Sequence, residues 1–413
     1  MGDPQNRREE IVRPLEGLKV VELGFWWAGP AAGMVLGECG ADVIKVESLA
    51  GGDPLRGFAA EELHGHRTPL NYQLELVNRN KRSMAVDLRQ PEGQDIVYRL
   101  IRTSDVFVTN LRPGALERLK MDTSTLMDIN PRLIYGLLTA FGPEGPDRNK
   151  PGFDEVGFWA RSGFLSFMGE PEAPPTPLHG AMGDLTTAVC LVAGVAMALL
   201  VRERTGRGQV VDTSLLSSGM WVAGFDLQTT LFTGVDVLRR RRTEARSPLY
   251  NTYQCGDGRW VQFTMPQTDR FWGPMCRALE IPHLESDERY NSQEKLIQRS
   301  GEVVALFDQA LARRPLKEWA PRFDQEELVW AYDARLSEVI SDPQVAANRF
   351  LAEVSHPSLG ALKEVGVPFR LRDTPPHPSG TAPEWGQHTE EVLQELGCSW
   401  EEILALKDSG VIS

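Results

Sequence analysis

Residues 18–47 narrow the fold of this chain more than any other feature: LKVVELG, then small residues in AGPAAGMVLGECGA, then DVIKVE. The two β-branched runs predict strands at 18–24 and 42–47, and the stretch at 28–41 predicts the helix between them. A strand, a helix and a second strand at this spacing join parallel neighbours, and parallel sheets are covered on both faces. Further on, EGQDIVYRLIRTSD (92–105) has helical spacing, while VFVTN (106–110) and LIYGLLTAFG (133–142) read as strands. The alternation predicts an α/β class: a large domain with a Rossmann-like parallel sheet.

A chain of 413 residues exceeds the roughly 250–300 over which one core keeps growing, so a second domain is expected. NTYQCGDGRWVQFTM (251–265) reads as a hairpin around Asp257-Gly258, followed by amphipathic helices such as GEVVALFDQALAR (301–313). The predicted division is a large domain over 1–224, a small α+β domain over 225–345, and a C-terminal segment, 346–413, that returns to the large domain. Prolines in 366–386 predict an extended path there, before a last short helix at 389–397.

Several function classes are disfavoured. The formal charge of -13 argues against nucleic acid as a partner. The first turn lacks G-x-G-x-x-G; its glycines stand at 24, 29 and 33 and Phe25, Trp26 and Trp27 fill the space, which weakens an NAD-dependent oxidoreductase as the alternative. Five scattered cysteines form no C-x-x-C pair and no histidine stands in a metal spacing, so no metal site and a reducing cytoplasm are expected. The N-terminal MGDPQNRREEIVRP has no apolar core for a signal peptide, and Asn6 does not suit myristoylation. The apolar run 188–201 falls short of the ~20 residues of a membrane span and predicts a buried helix, hence no membrane.

Asp184 stands directly ahead of that run. Aspartate is a favoured N-cap, so its plainest role is to accept the N–H of Thr186 or Thr187, with Arg202, Arg204 and Gly206 closing the helix. The basic cluster RRRRTEAR (239–246) reads either as a clamp for a phosphorylated ligand or, more simply, as a solvated loop.

Together, PLEGLKVVELGFWWAGPAAGMVLGECGADVIKVESLAGGDPLRG (14–57), NRNKRSMAVDLRQPEG (78–93), SDVFVTNLRPGALERL (104–119), NPRLIYG (130–136), GDLTTAV (183–189) and RTGRGQVVDTSLL (204–216) resemble the class III coenzyme A transferase family, the CaiB/BaiF group. DPQVAANRF (342–350) and HPSLG (356–360) carry the likeness late into the chain. The resemblance implies the class III CoA-transferase fold, an interlocked homodimer, acyl-CoA and carboxylic acid substrates, and coenzyme A as a substrate with no permanently bound cofactor. It makes Asp184 the catalytic nucleophile, which attacks a thioester; N–H dipoles at a helix start are expected to keep it ionised near neutral pH.

The same resemblance places coenzyme A contacts on Trp27 and Ala28, on Val86, Asp87, Leu88 and Arg89, on Asn110, Leu111 and Arg112, and on Arg118. The arginines offer guanidinium forks for phosphates, and Val86 and Leu88 are expected to flank a purine. Where some members carry an arginine after the second strand, this chain has Ser48. Racemases of the family place a histidine after the glycine of PGFDEVGFWARSG (151–163); Phe153 stands here and cannot exchange a proton, which leaves a racemase or isomerase as the lesser alternative. FWARSG, LNYQLELVNRNKRS and DERYN look closest to the branch acting on aromatic or branched 2-hydroxy acids and their enoyl partners. Trp26, Trp27, Phe158 and Trp159 then read either as an acyl pocket or as core.

Overall fold

Six strands form one parallel sheet: β1 (Lys19–Leu23), β2 (Asp42–Glu47), β3 (Lys81–Ala85), β4 (Val106–Thr109), β5 (Ile134–Thr139) and β6 (Gln209–Ser214), in the order β3-β2-β1-β4-β5-β6. The computed structural model describes residues 13–58, 68, 70–176 and 179–413; the N-terminal stretch read for targeting signals lies outside them through residue 12. Successive strand side chains point to opposite faces, and here both faces are largely apolar. Val20, Val43, Val106 and Ile134 pack under the helices Ala28–Glu38 and Met182–Thr205. Their neighbours Val21, Ile44, Phe107 and Tyr135 pack under the helix Pro91–Thr103 and the C-terminal Val392, Leu393, Ile403 and Ile412. The C-terminal segment thus closes one face of the sheet.

The strands and helices expected at 18–47 and 92–142 lie where their patterns place them. Two strands escaped the pattern, β3 and β6. Both are edge strands with polar residues inside them, KRSMA and QVVDTS, so neither shows the continuous apolar run of a strand buried on both sides. A further helix, Trp400–Asp408, follows the one at Thr389–Glu395, begun by a Ser399–Glu402 capping box.

The chain divides into two compact units: 1–164 with 177–233 and 346–413, and 165–176 with 234–345. The helix Gly224–Thr233 belongs to the first, so the division falls later than the expected 225. The second unit has an antiparallel sheet of Tyr250–Gln254, Trp260–Thr264 and Trp330–Tyr332 over a core containing Tyr253, Phe263, Trp272, Phe307, Trp319 and Phe323. Its basic cluster is largely exposed, as the solvated-loop reading expects, but three of its arginines are tied down. Arg239 donates to the Leu165 and Ala173 carbonyls, Arg241 pairs with Glu172, and Arg242 grips Asp308 at 2.8 and 3.1 Å, so these arginines tie 165–176 to the rest of the unit.

The Met182–Thr205 helix is longer than its apolar run. With 24 residues it is long and apolar enough, by length and composition, to cross a membrane. It is also not buried all round: Leu191, Val195 and Ala198 face the sheet while Met197 and Leu200 are exposed.

Glu22 of β1, Lys45 of β2, Lys81 of β3 and Asp53 form a buried ion cluster. Lys45 Nζ sits 2.7 Å from Glu22 and 3.0 Å from Asp53, Lys81 Nζ sits 2.7 Å from the other Glu22 oxygen, and all four side chains are fully enclosed. Burial alone would raise the Glu22 pKa; Lys45 and then Lys81 outweigh it and hold it below the ordinary carboxylate range. The cluster also holds the first βα turn: Lys45 donates to the Gly24 carbonyl at 2.8 Å and Asp53 accepts the Trp26 N–H at 3.0 Å. Trp26 needs that grip, because its φ of 65° is a left-handed conformation that a large side chain rarely adopts.

Candidate functional site

In a sheet of this order the connections reverse between β1 and β4, and the crevice beyond their C-terminal ends is where ligands gather. Two sets of predicted residues meet there. Asn110, just past β4, accepts the Phe25 N–H at 3.1 Å and donates to the Phe25 carbonyl at 2.8 Å, locking the turn that carries Trp27 and Ala28. A Cβ on Gly24 or Gly29 would stand 2.9 Å from the Asn110 side chain, so these glycines admit the clasp. Ala28 is buried at the helix start and Trp27 is half-buried. Leu111 is buried in the core below, and Arg112 and Arg118 are exposed, Arg112 donating to the Asn149 carbonyl at 3.1 Å.

The Val86–Arg89 stretch follows β3 and is strapped to the C-terminus, where the Asp87 N–H donates to the Val411 carbonyl at 2.8 Å. Two expectations need correction here. Val86 and Leu88 point into the sheet's core, 1% and 7% exposed, so their side chains do not present a face to a purine. Arg89 is exposed, but its guanidinium is already engaged by Asp87 at 2.8 Å through two nitrogens, and that bond holds the Asp87 carboxyl down to about 2. Ser48 turns the chain after β2 toward Asp53, accepting the Ala50 N–H through its hydroxyl.

Asp184 is not the N-cap. The helix starts at Met182, preceded by Ala181 in a left-handed conformation with φ of 70°, and Asp184 lies within the first turn. The Thr186 and Thr187 hydroxyls donate back to the Met182 and Gly183 carbonyls, and no described residue donates a hydrogen bond to the Asp184 carboxylate. The far end agrees with the sequence, with Gly206 in the left-handed cap and Arg202 paired to Asp105 at 3.0 Å.

Another carboxylate holds the helix start. Asp154, at the head of a π-helical turn (Glu155–Ala160), accepts the Gly183 N–H at 3.1 Å. Gly183 has no room for a side chain: a Cβ would lie 2.1 Å from Asp154 Oδ1 and 2.3 Å from Phe158 Cγ. Asp154 was missed because no local pattern links it to a partner 29 residues away.

The electrostatics reverse the expectation of a readily ionised carboxylate. Burial, then the charges of Asp154 and Glu155, push the Asp184 pKa up to about 7. The expected Thr186 or Thr187 N–H does not reach it, and the Gly183 N–H at the helix start goes to Asp154. Such a carboxyl, 8% exposed and poorly solvated, is a stronger nucleophile once ionised than one surrounded by donors.

Aromatic rings continue this wall. Trp26 meets Phe153 edge-on at 6.0 Å and Phe58 at 5.6 Å, so the first turn and the segment leading to Asp154 touch. Phe158 and Trp159 are core residues packed against Phe164, 3% and 9% exposed, whereas Trp26 and Trp27 stay partly open.

Residues 15–389 match the family described as CoA-transferase family III. The chain is 31% identical over 398 residues to the (R)-2-hydroxy-4-methylpentanoate CoA-transferase of Clostridioides difficile, covering 96% of this chain and 99% of that protein. It is 32% identical over 407 residues to the cinnamoyl-CoA:phenyllactate CoA-transferase of Clostridium sporogenes, covering 98% of each. Among solved structures, a CaiB/BaiF family protein from Brucella suis superposes with a TM-score of 0.80 at 28% identity, over 93% of this chain and 99% of that one.

Proposed function

The chain belongs to CoA-transferase family III and is a class III acyl-CoA:carboxylate CoA-transferase; on that premise we propose that Asp184 carries the transfer covalently. Its carboxylate attacks the donor thioester carbonyl, the C–S bond breaks, and CoA thiolate leaves behind a mixed anhydride. The thiolate then attacks the aspartyl carbonyl, releasing the donor acid and forming an aspartyl-CoA thioester. The incoming carboxylate displaces CoA into a second anhydride, and thiolate attack on the new acyl group yields product and restores Asp184. Each step exchanges one activated acyl group for another, so a buried carboxylate with few competing partners is the group required.

The observation that carries this reading is Asp184 itself: buried, without a hydrogen-bond donor among the described residues, and set in the first turn of the helix beside the β1 turn's helix. Incubation with an acyl-CoA followed by hydroxylamine or borohydride is expected to mark Asp184, read by peptide mass spectrometry. The rate of marking rises with pH through about 7 and then levels, because only the ionised carboxyl attacks. Adducts confined to other residues refute the assignment.

Coenzyme A is assigned to the switch-point crevice, with Trp27, Ala28 and Asn110 lining it and Arg112 and Arg118 reaching its phosphates. Val86 to Arg89 contribute through backbone. The substrates proposed are branched or aromatic 2-hydroxy acids and their enoyl-CoA partners, in keeping with the two relatives named above and the open tryptophans of the first turn. Exchange of labelled CoA across a panel of such acids and of small dicarboxylates separates the classes, and deuterium wash-in at the α-carbon detects racemisation, which Phe153 does not support.

A homodimer is part of the proposal. Trp221, Phe225, Leu231 and Phe232 are 71–86% exposed on adjoining helices, an apolar area that a single copy leaves in water. Sedimentation is expected at the mass of two 46.0 kDa chains, and a monomer at micromolar concentration overturns it.

A further inference from the structure

Asp154 is the buried carboxylate that the transfer cycle leaves unused. It is 2% exposed, one oxygen accepts the Gly183 N–H at 3.1 Å, and the other, Oδ1, is enclosed, with the Trp159 indole and the Met182 N–H acting on the carboxyl as weaker donors. That second oxygen lies directly over Gly183, where a Cβ would be only 2.1 Å away, so it is held against the residue that precedes Asp184. A carboxylate kept solely to begin a helix would be better placed in water, where its spare oxygen is solvated at no cost.

The geometry points to Asp154 as a positioning residue: it fixes the first turn of the nucleophile's helix through Gly183 and, by its own charge, sets the pH at which Asp184 becomes able to attack. This rests on the assignment of Asp184 as nucleophile. Asp154 packs on the residue before Asp184 and its charge acts on that carboxyl in a poorly solvated site, so ionising one opposes ionising the other. Burial raises the Asp154 pKa as well, the Gly183 bond opposing it, and among the charges acting on Asp184 that of Asp154 is the larger and that of Glu155 the smaller. Glu155 is exposed, which lets water screen it. The other elements packed on this helix add little: Ala28–Glu38 carries only Glu38, paired to Arg79, Leu215–Val222 and β5 carry no charge, and β6 carries Asp212.

The test is Asp154→Asn, which keeps an oxygen for the Gly183 N–H and removes the charge. The pH dependence of single-turnover Asp184 acylation is measured for wild type, Asp154→Asn and Glu155→Gln. The acid limb of Asp154→Asn is expected to move down by about half a unit, so that relative to its own plateau it is about threefold faster at pH 5.5, with a smaller shift for Glu155→Gln. Adduct formation with an unmoved limb in Asp154→Asn overturns the role of Asp154 and leaves the nucleophile standing; absence of any Asp184 adduct in the wild type overturns the nucleophile instead. Should Asp154→Asn not fold, carbon-13 carboxyl titration of wild type and Asp184→Asn decides. Coupling is reciprocal, so the Asp154 midpoint must fall in Asp184→Asn, and an unchanged midpoint refutes the pairing.

Discussion

Asp184→Asn lowers the CoA-transfer rate by at least about 10³-fold and, above pH 7, makes the protein more stable than the wild type. The rate loss follows from removing the only atom pair proposed to carry the acyl group. The gain in stability follows from the cost of burying the charge. The native carboxyl gives up its proton near pH 7 and the unfolded one near the ordinary aspartate value of 3.8. Between those values the native state binds more protons, so wild-type stability falls as pH rises through the window and stays reduced above it. A neutral amide carries no such penalty. The variant is therefore expected to gain about 2–4 kcal/mol at pH 8 and nearly nothing at pH 4, measured by urea unfolding at both. A side chain that served as a helix cap would do the opposite, since changing it gains nothing at any pH. An active Asp184→Asn enzyme, or one equally stable at both pH values, removes the basis for the assignment.

Lys45→Met is expected to lower the unfolding free energy by about 3–5 kcal/mol. The ammonium is fully buried 2.7 Å from Glu22 and 3.0 Å from Asp53, and methionine fills its volume without its charge. Two carboxylates then face each other with only Lys81 left, on one side of Glu22. The Gly24 carbonyl also loses its donor, and Asp53, which holds the left-handed Trp26, loses its own anchor. Coenzyme A affinity is expected to weaken with stability, because Trp27 and Ala28 are carried by that turn. Urea unfolding combined with calorimetric CoA titration checks both; an unchanged midpoint with unchanged affinity refutes the cluster's role.

Much of the sheet was legible. The runs at 106–110 and 133–142 are mostly apolar, and those at 18–24 and 42–47 are β-branched around Glu22 and Lys45, because a central parallel strand is buried on both sides, and a linear pattern reports much of that directly. β3 and β6 lay hidden because edge position, which relaxes the pattern, depends on what the rest of the chain does. The glycines at 24, 29 and 33 do not have the spacing of a dinucleotide loop. Their purpose emerged only with their neighbours, Asn110 for the first two and Glu22, 2.0 Å from a Cβ at Gly33, for the third.

At the site, residue types were readable and environments were not. Asp184 and the 27–28, 86–89 and 110–112 stretches could be named from motif alone. That Val86 and Leu88 face inward, that Arg89 is occupied by Asp87, and that Asp184 is a reluctant acid were all beyond it. Sequence alone determined the parallel α/β class, the second unit and the identity of the carboxylate on the apolar helix, since periodicity and local motif are properties of contiguous residues. Only tertiary structure decided how that carboxylate behaves. Solvation, and the nearness of Asp154 across 29 residues of chain to Gly183, arise when distant segments are brought together, and an acid's strength is a property of its surroundings.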